Sequence, residues 1–268
     1  MKLNFEIKTG LFIVLFVIII QLVSFIFLPR DYNNIDHNLR LQPPGAAHFF
    51  GTDNFGRDIF SRAMAGGKNS LVMAVCVVFS AAVFGCFLGL LSGYLGGIFE
   101  IIIMRIIDIL NSFPGLILAL FIIALFDNSQ YSVFLALLIL FIPSFTRVMR
   151  SAALQYKSSV FVQAQKAIGA GFLRITFIHI LPNTVPALLS ACVLGLSNAI
   201  LAESAMSFLG LGIQPPNPSW GRMLFEAQEW FFVAPWYALA PGFFIMFAVI
   251  AFHLLGEGLR RAFGDRNA

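Results

Sequence analysis

The amino-acid sequence predicts an all-α polytopic membrane protein with six transmembrane helices. Three observations carry that expectation. Only 11% of the 268 residues are charged while 59% are hydrophobic, whereas soluble domains carry about 25% charge. The apolar residues gather in runs of about 18 or more, enough at about 1.5 Å per residue to cross a hydrocarbon core of about 30 Å. The basic residues sit in the loops flanking those runs, so the net charge of +4 points to a lipid bilayer and not to nucleic acid.

Leu11 to Leu28 is the first run, interrupted only by Gln21 and Ser24. Pro29-Arg30-Asp31 lacks the small residues of a signal-peptide cleavage site, so residues 1–30 read as a retained span with its amino terminus inside. Residues 31–69 then form a polar extracytoplasmic loop. Gly51, Asp53 and Gly56 are turn residues there, and Asp58 onwards reads as a short amphipathic helix with Ile59, Phe60 and Ala63 on one side. This loop reads as a packed cap over the outer mouth or as a contact for a binding protein.

The core occupies residues 70–260. Its first span, Leu71 to Gly97, carries Gly85, Gly89 and Gly93 at four-residue spacing, a device for close helix packing, first of all within this chain. Ile101 to Phe126 holds Arg105 and Asp108 three residues apart, a spacing that lets them pair on one helical face. Asn111 follows, and Pro114 predicts a kink. Tyr131 to Met149 contains a second kink residue, Pro143. Pro182 to Met206 presents Ala187, Ala191, Gly195 and Ala199 as another small-residue face, with Asn198 and Glu203 at membrane depth. Asp108, Asn111, Asn198 and Glu203 are therefore candidates for a translocation path, although Glu203 near the outer end also reads as a solvated cap. Ser207 to Leu224 is a Gly/Pro loop. Trp220, Trp230 and Trp236 cluster there as an interfacial aromatic belt would. Phe243 to Gly256 lies in the last span, and 261–268 is a cytoplasmic tail.

The interval from Val160 to Asn183 has no membrane-grade run, and no acid falls between Asp127 and Glu203. With Arg147, Arg150, Lys157, Lys166 and Arg174 in or beside it, the 150–180 loop belongs in the cytoplasm. Both termini then lie inside with Lys2, Lys8, Arg260, Arg261 and Arg266. Phe161 to Ile168 reads as a short helix closed by Gly169, followed by a second carrying Phe172, Ile175 and Ile178. Such a projection suits a grip by a soluble partner or a position on the lipid surface.

Enzymatic readings find little footing. His37, His48, His179 and His253 are scattered, without an HExxH or Gly-x-Ser-x-Gly pattern. Gly66-Gly67-Lys68 fails as a phosphate loop because Arg62 and Asn69 occupy its defining positions. Cys76, Cys86 and Cys192 fall within apolar runs as small core residues. No metal-ligand cluster and no cofactor are expected in this chain.

Three segments in the right order carry a resemblance. Residues 160–183, with Gly169 and Ile180-Leu181-Pro182, resemble the EAA loop of ABC importer permeases, although Gln163-Ala164-Gln165 stands where Glu-Ala-Ala is usual. Residues 50–67 (Gly51-Thr52-Asp53, Gly56-Arg57-Asp58, Ser61-Arg62) and the 203–224 segment resemble the dipeptide, oligopeptide and nickel subgroup. The resemblance implies a type I permease fold with a cytoplasmic coupling helix that includes Phe161, Gln163, Ala164, Gln165, Ala167, Gly169 and Phe172. It also implies a second homologous permease, two ATP-binding subunits that hold the ATP, and an extracytoplasmic solute-binding protein. The cargo would be small peptides, or alternatively nickel or a metal chelate. An ion-coupled carrier is the distant alternative from another class.

Overall fold

The structure, a computed structural model, describes residues 5–126 and 129–264. Lys2, Asp127 and Arg266 lie outside the described residues. The described chain is helical: α1 (Phe5–Ile26), α2 (Ile59–Leu95), α3 (Gly97–Ser112), α4 (Gly115–Leu125), α5 (Gln130–Lys157), α6 (Val160–Ala167), α7 (Leu181–Phe208), α8 (Trp220–Ala227) and α9 (Pro235–Gly264). Five helices are long and apolar enough to cross a membrane, or six if α3 and α4, bent at their junction, count as one broken span. The chain is a multi-pass membrane protein.

α2 and α5 form the central packed pair. A methyl group on Gly89 would stand 2.6 Å from the Met149 Cβ, and one on Gly93 would stand 2.7 Å from the Ala153 Cβ. The contacts advance together along both helices, so α2 and α5 run parallel. The glycine face packs within this chain, as the spacing predicts. α7 adds Gly195 against Phe145 and Val78, and Ala199 is fully buried beside it, while Ala187 remains exposed. α1 lies along α9.

Several expectations change in three dimensions. Asp58 does not start a separate short helix. Its carboxylate accepts the Ser61 N–H at 2.8 Å and caps one continuous helix of 37 residues. At about 1.5 Å per residue that is roughly 55 Å, so α2 extends well beyond a bilayer core into the loop region. The kink at Pro114 is a full break: α3 and α4 meet at 94°. The second short helix is a π-helical stretch, Arg174–Ile180, that runs directly into α7. Trp220 is not an interfacial residue. It is fully buried, stacks on Phe244 with centroids 6.0 Å apart and donates from Nε1 to the Ala63 carbonyl at 2.8 Å.

Candidate functional site

Two ends of the bundle carry the charged and projecting groups. At the α6 end, α5 terminates at Lys157, and Ser158-Ser159 turn the chain into α6. The far end of α6 closes in a paired hydrogen-bond motif. Ala170 N–H reaches the Gln165 carbonyl and Gly169 N–H the Lys166 carbonyl, both at 3.0 Å. Gly169 sits between them at φ +82°, a left-handed conformation in which a side chain would crowd the backbone.

α6 buries one side chain in its own bundle. Val162 is fully buried, packed with Leu90, Met149, Ala153, Ile175 and Ile180. Phe161, Gln163, Ala164 and Ala167 are exposed, and Gln165 is half-buried. Gln163 turns its amide back to donate to the Ser158 carbonyl at 3.1 Å. Phe172 is half-buried against Tyr94, with ring centroids 5.3 Å apart. The ammonium groups of Lys166 and Lys157 approach the same tyrosine ring at 5.2 and 5.8 Å. Tyr94 and Val162 escape a sequence reading, although Tyr94 stands at the last turn of an apolar run.

Of the path candidates, Asp108 and Asn111 share the exposed side of α3, and Asn198 is exposed on α7. Asp108 does not pair with Arg105. Its Oδ1 accepts from Arg147 Nη2 at 2.9 Å, across to α5, while Arg150 Nε donates to Glu100 Oε1 at 2.8 Å. Local spacing offers Asp108 only its i−3 neighbour; the fold supplies a better-placed guanidinium. Glu203 does not join the other three. It is fully buried and accepts from Ser207 Oγ at 2.7 Å, so it is no solvated cap.

At the α8 end, the loop motif is a buried ionic clasp. Arg57 Nε lies 2.6 Å from Asp53 Oδ2, and Arg62 Nε lies 3.4 Å from the same oxygen. Both guanidiniums reach Glu226 Oε2 on α8, at 3.1 and 3.2 Å. Arg222 meets Glu226 Oε1 at 3.3 Å, and the Tyr237 hydroxyl donates to Oε2 at 3.1 Å. Beside the clasp, His48 Nδ1 sits 2.8 Å from Asp58 Oδ1. Residues 31–58 are thus packed onto the bundle by side chains whose charges meet inside the protein.

A short projecting helix thus lies between two spans at one end of the bundle, and a clasped loop closes the other. Residues 85–267 match the family described as binding-protein-dependent transport system inner membrane component. The chain belongs to this family. It is a permease subunit of an ABC importer, with the type I permease fold, and works with other subunits of such a transporter. It is 40% identical to the dipeptide transport system permease protein DppC of Alkalihalophilus pseudofirmus, over 94% of this chain and 83% of that protein. It is 39% identical to the probable D,D-dipeptide transport system permease protein DdpC of Escherichia coli, over 91% and 83%. The glutathione transport system permease protein GsiD of Pectobacterium atrosepticum is 37% identical, over 98% and 87%. A chain of the inward-facing MetNI methionine ABC transporter superposes with a TM-score of 0.62, covering 75% of this permease and 96% of that chain. At 19% identity that likeness speaks for the fold alone.

Proposed function

We propose that this permease forms half of a translocation pathway for short peptides and that α6 is the helix through which ATP hydrolysis on two separate ATP-binding subunits drives it. The observation that carries the reading is the exposure of α6. One buried side chain, Val162, holds it, while Phe161, Ala164 and Ala167 face outward, an arrangement suited to a helix laid in a partner's groove. Ala164 offers a methyl group where helix and groove approach most closely.

The α6 end is the cytoplasmic end in this reading. Lys157, Lys166 and Arg174 gather there, in a stretch of sequence that holds no acid, in keeping with the basic bias of cytoplasmic loops. Gly258 packs against Ile7, and Arg260 shares a crevice with Gln155 and Asn183, which supports placing the start of α1 and the end of α9 on the α6 side. The opposite end, with the clasped loop, faces a solute-binding protein. A second, homologous permease supplies the other half of the pathway. Peptides are the favoured cargo because the named relatives carry dipeptide and glutathione designations.

Vesicles holding the whole assembly test this. With ATP on the α6 side and the loaded binding protein on the other, a labelled dipeptide should cross in step with hydrolysis. Uptake driven by a proton gradient without hydrolysis would contradict the reading.

A further inference from the structure

We propose that the two lysines gathered at Tyr94 form a site for the phosphate headgroup of an anionic phospholipid, where α6 meets the end of α2. The site rests on geometry alone; its placement in the cytoplasmic leaflet rests on the proposed function.

The ring stands at a boundary. Tyr94 lies in the last turn of α2, and the chain turns through Gly96 and Gly97, both at positive φ, into α3. Ile98 and Phe99 follow with exposed side chains, as does Leu173 beside Phe172. A tyrosine at the end of an apolar span marks the level of the lipid headgroups. Gly97 leaves the turn open, with no atom within 4 Å of a Cβ placed there.

Two cations converge on this ring from different helices. Lys157 ends α5 and Lys166 lies in the last turn of α6, yet their ammonium groups come within 5.8 and 5.2 Å of its centroid. Lys157 Nζ also stands 3.6 Å from where a Cβ on Gly96 would sit. Neither ammonium has an ion pair or a hydrogen bond among the described residues. Glu100, the acid at this turn, is engaged elsewhere: its Oε1 accepts from Arg150 Nε at 2.8 Å and from Arg150 Nη2. The carboxyl poles of α2, α5 and α6 subtract about half a charge each and the amino pole of α3 returns one half, so the balance stays near about +1. An aromatic face attracts an ammonium but leaves its N–H donors unused. Phosphate oxygens are strong charged acceptors for them.

A lipid fits because cations and apolar surface adjoin. A soluble phosphate makes no use of Ile98 and Phe99, whereas a phospholipid needs a cationic group at headgroup depth and apolar surface below it. The register of α6 decides against an ATP-binding subunit as the occupant. Lys166 follows Val162 by four residues and shares its face, which is turned to the bundle because Val162 is buried there. Ala164 and Ala167 point the other way, toward the proposed partner. A phosphate held at Tyr94 therefore ties α6 to the membrane surface without packing it into the bundle.

The probe is phosphatidylglycerol, mixed equally with phosphatidylcholine in nanodiscs that hold the whole transporter. Native mass spectrometry after release counts the lipids retained, without ATP or cargo, so the result does not depend on transport. The parent should retain phosphatidylglycerol in preference. Lys157→Gln or Lys166→Gln should lower that preference about fivefold, and both together about thirtyfold. Arginine at both positions keeps the charges and should keep the preference, which separates charge from packing. Lys8→Gln, which removes an exposed cation from α1, should leave it unchanged. Equal retention of the two lipids by the parent, or an unmoved preference in the glutamine variants, overturns the site. So does an equal loss in Lys8→Gln, which would mean diffuse attraction to the surface. Displacement of the lipid by excess inorganic phosphate would assign the lysines to a soluble anion. A double variant that sheds the ATP-binding subunits yet keeps its lipid preference would assign them to the protein interface, and either result overturns the lipid. Should the double variant fail to assemble, the single variants carry the test.

Discussion

At the α8 end Glu226 gathers Arg57, Arg62, Arg222 and the Tyr237 hydroxyl within 3.3 Å, whereas at the α6 end one buried valine and two partly exposed ring contacts, Phe161 on Tyr156 and Lys166 on Tyr94, hold an otherwise exposed helix. Buried charges are held only where geometry satisfies every partner, and losing one leaves the rest in a low-dielectric interior. The clasp therefore resists partial opening. The contacts of α6 make no such demand and let it shift as a unit. The permease is clasped where it closes its own loop and more lightly held at α6, where we propose that it receives force.

Breaking the clasp should have the largest effect. Glu226→Leu strands Arg57 and Arg62 with Asp53 alone, at a cost of about 3–5 kcal/mol. The expected outcome is a large drop in melting temperature or loss of the chain from the membrane. A variant that melts with the parent would show that the clasp is not a structural lock.

Gly169→Val tests the other end. No atom lies within 4 Å of a Cβ at Gly169, so the cost is backbone strain alone, roughly 1–2 kcal/mol for a left-handed residue. Hydrogen exchange should quicken in residues 160–170 and stay unchanged in α2 and α5. Loosening across the bundle would refute the idea that α6 is mechanically separate.

The α3–α5 pair is more exposed, with Arg147 and Asp108 about half accessible, so its stability contribution should stay below about 1 kcal/mol. In a double-mutant cycle, Asp108→Asn should couple with Arg147→Gln and add independently to Arg105→Gln. Coupling to Arg105 instead would contradict the observed pairing. Gln163→Glu should have a comparably small effect on folding. It removes the donor to the Ser158 carbonyl, about 1 kcal/mol for one hydrogen bond, and should appear as a slight fraying of α6 in the same exchange measurement.

These cases show which parts of the fold the sequence discloses. The apolar runs and the Gly85–Gly93 face are read directly, because apolar runs and four-residue spacing are local properties. The end of α6 is equally legible, since Gly169 has one conformational reason to follow Ala167 and Ile168. Partner choice is not local. Asp108 finds Arg147 across 39 positions, and Arg57 finds Glu226 across 169, so no spacing rule reaches them. The helix from Ile59 runs on into the second span through Gly66 and Gly67, which are covered by other segments: Gly66 by Ser219 and Gly67 by Trp220 and Gln21. Trp220 follows the same logic. Its neighbours Pro218 and Trp230 suggest an interface, yet the chain folds it under α2.

The most direct test of the central reading is Ala164→Arg. The side chain is exposed in this permease, so the variant should fold and insert as the parent does, while a long charged group no longer fits where α6 meets an ATP-binding partner. ATP hydrolysis should then continue without binding-protein-dependent stimulation, and dipeptide uptake in vesicles should fall at least about tenfold. An assembled Ala164→Arg complex that transports at the parental rate would contradict the role assigned to α6.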